Sequence, residues 1–216
     1  MTGSIPRDQY LPGMGRNWLT PLYDPVTRIL GIPSLHRMLV DQAGIQPRQR
    51  VLEIGCGTGN LALLVKRLHA DAEVVGIDPD AAALRAALRK ATRAGLDVRW
   101  DAGLAQALPY PEGTFDRILS AMMLHHLETD DKRAALRTAR RALAPRGSIH
   151  LVDFGGRAEP SDGFMARRLA RSARLEHNYS GGIDAAMRQA GFTHVSEVDH
   201  RVSRLMGRIT FYRADV

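Results

Sequence analysis

Three glycines at alternate positions constrain the fold of this chain more than any other feature. They lie in the stretch Val51-Leu52-Glu53-Ile54-Gly55-Cys56-Gly57-Thr58-Gly59-Asn60. Apolar residues with one acid among them lead into the glycines, and a helical apolar pattern follows from Leu61. This order predicts a buried strand, a tight turn and a helix N-terminus. Such a turn lets a ligand lie against bare backbone, with free N–H groups facing the anionic part of the ligand.

The spacing of these glycines separates two classes of cofactor site. In the dinucleotide fingerprint G-x-G-x-x-G, the third glycine lies inside the helix. Here the third glycine is Gly59, Asn60 occupies the dinucleotide position, and Glu53 lies two residues before the first glycine. The block resembles motif I of the class I S-adenosylmethionine (SAM) dependent methyltransferases. The resemblance implies SAM as the cofactor and S-adenosylhomocysteine as the product, and it disfavours a nicotinamide oxidoreductase.

After residue 50 the sequence alternates between strand and helix patterns. Strands are predicted at 51–54, 73–77, 97–100, 115–120 and 148–154, and helices at 61–69, 80–94, 129–144 and 182–190. Two final runs, near 194–200 and 208–212, predict an antiparallel pair. Repeated strand–helix units with short links indicate a parallel sheet covered by helices. The predicted fold class is α/β: a Rossmann-like, doubly wound, mostly parallel seven-stranded sheet with a terminal antiparallel hairpin.

The chain is expected to consist of an arm and a core. Residues 1–44 are rich in proline, end in a short helix, and are predicted to cover the active site. Residues 45–216 form the SAM-binding core that the resemblance implies, with a lid insertion at about 155–180. Tyr10 and Tyr23 of the arm either close over the cofactor sulfonium, which favours an aromatic face, or only pack the arm against the sheet.

Asp78 is predicted to close the second strand, about twenty residues after the glycines. Ligands bind at the carboxyl ends of strands in such sheets. A carboxylate at this place can accept hydrogen bonds from both ribose hydroxyls of the cofactor. The alternative is that Asp78 caps the helix beginning near Asp80. Pro79 suits the first turn of that helix and is assigned to the cofactor site with Asp78.

Further cofactor contacts are expected at the ends of the third and fourth strands. The resemblance implies that Asp101, taken to close the third strand, accepts from the adenine amino group. Ala102 would offer its backbone N–H to the same ring. The alternative for Asp101 is an acid in a surface turn. Ser120 closes the predicted fourth strand, beside the place of the methionine portion.

The acid within the first strand also needs a partner, because a buried carboxylate is costly without one. The resemblance implies that Glu53 holds the glycine turn or contacts the methionine ammonium through water. It also implies that Gly55, Cys56 and Gly57 contact the amino-acid end of the cofactor through their backbone. Cys56 needs only to be small there and is not expected to act as a nucleophile.

The segment that follows the fourth strand is expected to contact the methyl acceptor. Its sequence is Met122-Met123-Leu124-His125-His126-Leu127. A hydroxyl acceptor usually needs a base, and His125 and His126 are the best-placed candidates. The alternative is that the two histidines only fix the loop. Met123 is assigned to the acceptor pocket.

The lid segment interleaves apolar residues with arginines, and Arg167 and Arg171 are assigned to the acceptor. They could bind a phosphate-bearing or carboxylated acceptor, or an anionic membrane surface at the periphery. The alternative is a solvated basic face on a lid helix.

The net charge of +7 permits an anionic partner but is equally explained by a diffusely basic surface. Enzymes that methylate nucleic-acid amino groups usually show Asp or Asn, two prolines and an aromatic residue after the fourth strand. This chain has Ser120-Ala121-Met122-Met123 there, so no nucleic-acid partner is expected.

Cys56 is the only cysteine, which excludes an internal disulfide and a cysteine-based zinc cluster. No metal is expected. No apolar run approaches the ~20 residues of a membrane span, and the N-terminal residues lack a signal-peptide pattern. We therefore expect a cytoplasmic protein.

The sequence thus predicts a SAM-dependent methyltransferase acting on a small-molecule or lipid-like acceptor, as a monomer or homodimer. It resembles the group containing quinone-biosynthesis C-methyltransferases and phospholipid N-methyltransferases, and leaves the choice among O, N and C acceptor atoms open. The alternative is a catalytically silent SAM-binding partner or regulatory subunit.

Overall fold

Alternating strands and helices build one seven-stranded sheet in this chain. The structure, a computed structural model, describes residues 29–157, 159, 162, 168, 178–203 and 206–216. The strands are β1 (Arg50–Ile54), β2 (Glu73–Asp78), β3 (Arg99–Ala102), β4 (Phe115–Ala121), β5 (Leu143–Phe154), β6 (Thr193–Ser203) and β7 (Gly207–Asp215). The helices are α1 (Ile32–Ala43), α2 (Asn60–Leu68), α3 (Ala81–Ala94), α4 (Thr129–Ala142) and α5 (Ile183–Gln189). Short turns of 3-10 helix at Ala105–Ala107 and Leu124–His126 and a π-turn at Asn178–Gly182 connect them.

The strand order is β3-β2-β1-β4-β5-β7-β6. The first five strands pair in parallel, and β7 pairs antiparallel with both β5 and β6. The predicted α/β class, with its terminal antiparallel hairpin, is confirmed. The order of the strands reverses between β1 and β4, and ligands bind at the carboxyl ends of strands near such a reversal.

Successive side chains of a strand point to opposite faces of the sheet. Because helices cover both faces, the strands are buried on both sides. Leu52 and Ile54 of β1 join a core cluster with α4 and α5, whereas Val51 joins a second cluster with α1 and α2. Buried apolar runs of this kind are typical of parallel strands covered on both faces. The core thereby fixes the carboxyl edge of the sheet, where the glycine turn begins.

The third strand lies later in the sequence than predicted. β3 runs from Arg99 to Ala102, so the predicted range 97–100 is wrong, while Asp101 lies near the end of the strand that it was predicted to close. The parallel register explains the shift, because Asp101 pairs with Ile77 and Ala102 with Asp78. Asp101 therefore belongs to the sheet rather than to a loop.

The third helix begins one residue later than predicted. Asp80 caps α3 by accepting from the N–H groups of Ala82 and Ala83, at 2.8 and 3.4 Å. Pro79 therefore precedes the cap and does not lie in the first helical turn, so that prediction is wrong. The alternative role for Asp78, capping this helix, is taken by Asp80.

The fifth strand begins earlier than predicted, at Leu143 instead of Ser148. Leu143 pairs with Phe115, and Ser148 pairs with Arg117, so several residues of β5 bulge opposite a single residue of β4. The proline and glycine that suggested a helix end lie inside this bulge. Bulges of this kind bend a strand without ending it.

No helix in the described part of the chain is both long and apolar enough to cross a membrane.

Candidate active site

The turn after β1 is held by backbone hydrogen bonds to β2. The N–H groups of Gly55 and Cys56 both donate to the carbonyl of Ile77, at 2.9 and 3.1 Å. The φ angles of Gly55, Gly57 and Gly59 are 72°, 51° and 78°. Residues with a side chain rarely adopt this left-handed conformation, which explains the three glycines.

The three glycines meet different surroundings. A Cβ on Gly55 would collide with the side chain of Met123, and a Cβ on Gly59 would lie 2.5 Å from the ring of Trp100. A Cβ on Gly57 would meet no atom of the described residues within 4 Å. The backbone of Gly57 is therefore open to a ligand, while Gly55 and Gly59 are covered by protein.

Glu53 joins the glycine turn to the helix that follows it. Its Oε2 accepts from the N–H of Ala62 at 2.7 Å, in the first turn of α2, where N–H groups lack helical partners. Burial raises the pKa of Glu53 well above its usual range; the Ala62 hydrogen bond and the Lys90 charge act against this shift, and the Asp78 charge adds to it. The contact supports the first of the two roles considered for Glu53, that of holding the turn.

Asp78 lies beside the glycine turn at the end of β2. Its Oδ2 accepts from the N–H of Gly57 and its Oδ1 from the N–H of Asp80, both at 2.8 Å. Each carboxylate oxygen has two lone pairs, so both oxygens can still accept from ribose hydroxyls. Burial raises the pKa of Asp78 to about 6, although the two N–H groups act in the opposite direction.

This pKa gives a test of the ribose contact. If the ribose hydroxyls donate to ionised Asp78, we expect SAM affinity to fall by up to tenfold per pH unit below about pH 6, because the proton competes with the ligand. Calorimetric titrations between pH 5 and 8 measure this slope. Asp78→Asn is the matched control, since it should bind SAM more weakly and lose the pH dependence. An equal slope in both proteins would contradict the assignment.

Asp101 lies on the strand next to Asp78 and is held by two side chains. Its Oδ2 accepts from the hydroxyl of Tyr110 at 2.9 Å, and its Oδ1 accepts from Arg99 Nε at 3.1 Å. Burial and the neighbouring Asp101 charge raise the pKa of Tyr110, so its hydroxyl stays protonated and donates. The carboxylate is therefore fixed in orientation at the edge where adenine is expected.

Two small side chains line the junction of the strand ends. Ser120 is buried and donates from its hydroxyl to the carbonyl of Ile54 at 3.1 Å. Cys56 is also buried; burial raises the pKa of its thiol, and the charges of Glu53 and Asp78 add to the shift. A protonated, buried thiol is a small packing group, in agreement with the expectation that Cys56 is not a nucleophile.

His125 forms a dyad with Asp153 of β5. The Nδ1 atom of His125 lies 2.7 Å from Oδ1 of Asp153, and the backbone N–H of His125 donates to Oδ2 at 3.3 Å. Burial alone would raise the pKa of Asp153, but the charge and hydrogen bonds of His125, together with the N–H of Phe154, lower it. The ionised carboxylate fixes the proton on Nδ1 and leaves Nε2 to accept another, as in hydrolytic triads.

The His125 side chain has an exposed fraction of 15%, against 2% for Asp153, so the imidazole separates the carboxylate from solvent. The ring of His126 packs against that of His125, with centroids 4.0 Å apart and planes tilted by 40°, and Phe154 contacts the His125 ring edge-on at 4.9 Å. The structure thus gives His125 an orienting carboxylate, and the ring of His126 contacts that of His125.

The structure brings most of the predicted site residues to one edge of the sheet. Tyr10, Tyr23, Arg167 and Arg171 lie outside the described residues, as do residues 1–28 of the expected arm and most of the expected lid.

Sequence reasoning missed three residues that support the site. Asp153 orients His125, Tyr110 holds Asp101, and Lys90 donates to Thr58 and Asn60 at the start of α2. Asp153 had a usable signal, since it is an acid near the end of a parallel strand, as Asp78 is. Tyr110 and Lys90 had none, because their partners are brought close only by the fold.

Comparisons with known proteins agree with this geometry. Residues 51–147 match the family described as a methyltransferase domain. The chain is 37% identical over 139 residues to a demethylmenaquinone methyltransferase of Thermus thermophilus, covering 63% of this chain and 62% of that relative. It therefore spans less than two thirds of that protein. It is 28% identical over 185 residues to a ubiquinone/menaquinone biosynthesis C-methyltransferase of Pectobacterium atrosepticum, covering 74% and 72%.

A solved structure supports the fold. A SAM-dependent methyltransferase of Aquifex aeolicus superposes with a TM-score of 0.61 at 18% identity, over 84% of this chain and 89% of that one. The described residues contain the glycine turn, the acids Asp78 and Asp101 near the strand ends, and the strand order given above. Residues 51–147 therefore match a methyltransferase domain in sequence, and the sheet has the fold of the Aquifex SAM-dependent methyltransferase.

Proposed function

We propose that this chain methylates a hydroxylated ring of the quinol type, using SAM and a base. The observation that carries the proposal is the 2.7 Å contact between His125 and Asp153 at the carboxyl edge of the sheet. An amine acceptor already carries a lone pair and needs little base, whereas a hydroxyl benefits from one. The names of the Thermus and Pectobacterium relatives support a quinone-type acceptor.

The residues at the edge fit the adenosyl cofactor. The open backbone of Gly57 offers room for it, and Asp78 keeps lone pairs for hydroxyl donors. Glu53, Gly55, Cys56, Asp101, Ala102 and Ser120 are proposed to complete the cofactor site, as expected from the sequence. When bound, SAM supplies an electrophilic methyl group on its sulfonium.

The proposed chemistry of the chain is proton removal and alignment. Nε2 of His125 takes the proton of the acceptor hydroxyl, which makes the ring oxygen and the adjacent ring carbon nucleophilic. Asp153 holds the imidazole in the tautomer that can accept this proton and stabilises the imidazolium that results. For a carbon acceptor, the imidazolium of His125 returns its proton to the ring oxygen, and the ring C–H proton is released to water after methylation. Met123, which covers Gly55, is proposed to line the acceptor side.

A SAM-binding partner without activity is the second candidate. Such a protein needs the glycine turn and Asp78, but it has no use for an imidazole oriented by a buried carboxylate. The dyad therefore favours catalysis.

Further features are proposed on the sequence alone. They are a cytoplasmic location, a monomer or homodimer, a lipid-like tail on the acceptor, and peripheral contact with an anionic membrane through Arg167 and Arg171.

The test combines binding with methyl transfer. Calorimetry with SAM, S-adenosylhomocysteine and NADH should show binding of the first two only. The protein is then incubated with methyl-labelled SAM and a reduced demethylated naphthoquinol in detergent micelles, with phosphatidylethanolamine micelles as the comparison. We expect label in the quinol product and none in the lipid. SAM binding without transfer to the quinol would contradict the proposal.

A further inference from the structure

A buried lysine lies next to the dyad and belongs to neither the cofactor site nor the base itself. Lys132, in the first part of α4, has an exposed fraction of only 5%. Its Nζ donates to Oδ1 of Asn178 at 2.9 Å, and Nδ2 of Asn178 donates to the carbonyl of Phe154 at 3.1 Å. Phe154 directly follows Asp153, so this chain of hydrogen bonds ends at the strand that carries the dyad.

A buried ammonium is unfavourable unless it is paired or hydrogen-bonded. Burial lowers the pKa of Lys132, while the charges of Asp153 and Glu128 act to keep it protonated. Among the described residues, Asn178 supplies the side-chain acceptor for this ammonium, and Asn178 itself is fully buried. The buried ammonium therefore depends on its hydrogen bond to Asn178, which connects it to the end of β5.

Other titratable groups near the dyad come from several elements. Within the described residues they are His126 in the same turn, Glu128 and Lys132 at the start of α4, Tyr179 in the π-turn and Tyr212 on β7. Burial raises the pKa of Tyr179 to about 12 and that of Tyr212 further, so both are neutral at neutral pH. Glu128 is exposed, so water and salt screen its charge, whereas Lys132 is buried.

We propose that Lys132 is a positioning residue for the His125–Asp153 dyad. Held by Asn178, its ammonium disfavours a second positive charge on His125, so Nε2 of His125 stays free to accept a proton from the acceptor. Asn178 also connects the π-turn to the end of β5, through its hydrogen bond to the carbonyl of Phe154. The inference rests on the proposed base role of His125, but the titration that tests it needs no acceptor.

The experiment follows the ring of His125 by NMR in protein labelled at its eight histidines. His125→Gln identifies the resonance. In Lys132→Met we expect the titration midpoint of His125 to move upward by about 1 pH unit, because a nearby positive charge is lost. Lys132→Arg keeps the charge and should restore the original midpoint. A midpoint that does not move in Lys132→Met overturns the proposal.

A second variant covers the case in which Lys132→Met does not fold. Asn178→Asp places a carboxylate against the ammonium and offsets its charge, so the midpoint should again move upward. An unchanged midpoint here also overturns the proposal. The titration and the methyl-transfer assay can fail separately. If the midpoint shifts but the protein does not methylate the quinol, the role of Lys132 is supported and only the proposed quinol acceptor is contradicted.

Discussion

Replacing His125 with glutamine is expected to lower the rate of methyl transfer by about 100- to 10,000-fold, the usual contribution of a positioned base. Glutamine keeps a polar side chain of similar reach but cannot accept the acceptor proton. SAM affinity should stay unchanged, because the cofactor is proposed to bind at the glycine turn and Asp78 rather than at His125. Single-turnover rates with saturating SAM, together with calorimetric affinities, measure the two quantities.

His126→Gln is the matched control, since it makes the same chemical change one residue away without touching Asp153. We expect a loss of less than about tenfold for this variant. Asp153→Asn should resemble His125→Gln, because a neutral amide no longer fixes the useful tautomer. Equal losses for His125→Gln and His126→Gln would mean that both histidines only fix the loop.

The sheet and the cofactor edge were predictable because local patterns specify them. The turn needs a left-handed backbone at Gly55, Gly57 and Gly59, and glycine in the sequence is a direct signal of that conformation. Apolar runs between helical patterns likewise indicate parallel strands covered on both faces. The reversal between β1 and β4 then brings the predicted acids to one edge.

Predictions failed where pairing overrides local pattern. β3 includes Asp101 because its register follows β2, and the bulge in β5 keeps a proline–glycine segment inside the strand. Neither effect is visible in a short window of sequence. Boundaries set by partners in this way are the least reliable part of a sequence-based assignment.

The orienting groups of the site were missed for a related reason. Asp153 lies 28 positions from His125, and Lys132 lies 46 positions from Asn178. Their hydrogen bonds arise because the 3-10 turn, α4, β5 and the π-turn converge in the fold. Residue type and position identified His125, and the place of Asp153 near a strand end was a usable signal, but only the fold shows that the two side chains are in contact.

Gly57→Ala is expected to weaken SAM binding by about 10- to 100-fold, the equivalent of the ~1–3 kcal/mol that an intruding methyl group typically costs. The added Cβ meets no described protein atom within 4 Å, so it would project into the space proposed for the cofactor. The left-handed backbone, with φ of 51°, adds a loss of folding stability of about 1–2 kcal/mol. Calorimetry measures the affinity, and urea unfolding without ligand measures the stability.

Gly44→Ala separates the two effects. Gly44 ends α1 with φ of 55°, and a Cβ there also meets no described atom within 4 Å. Its backbone strain therefore matches that of Gly57, but it lies at the opposite end of β1 from the glycine turn. Both variants should lose similar stability, and only Gly57→Ala should lose SAM affinity. If the two variants bind SAM equally well, the cofactor does not lie against Gly57, and the turn serves only to join β1 to α2.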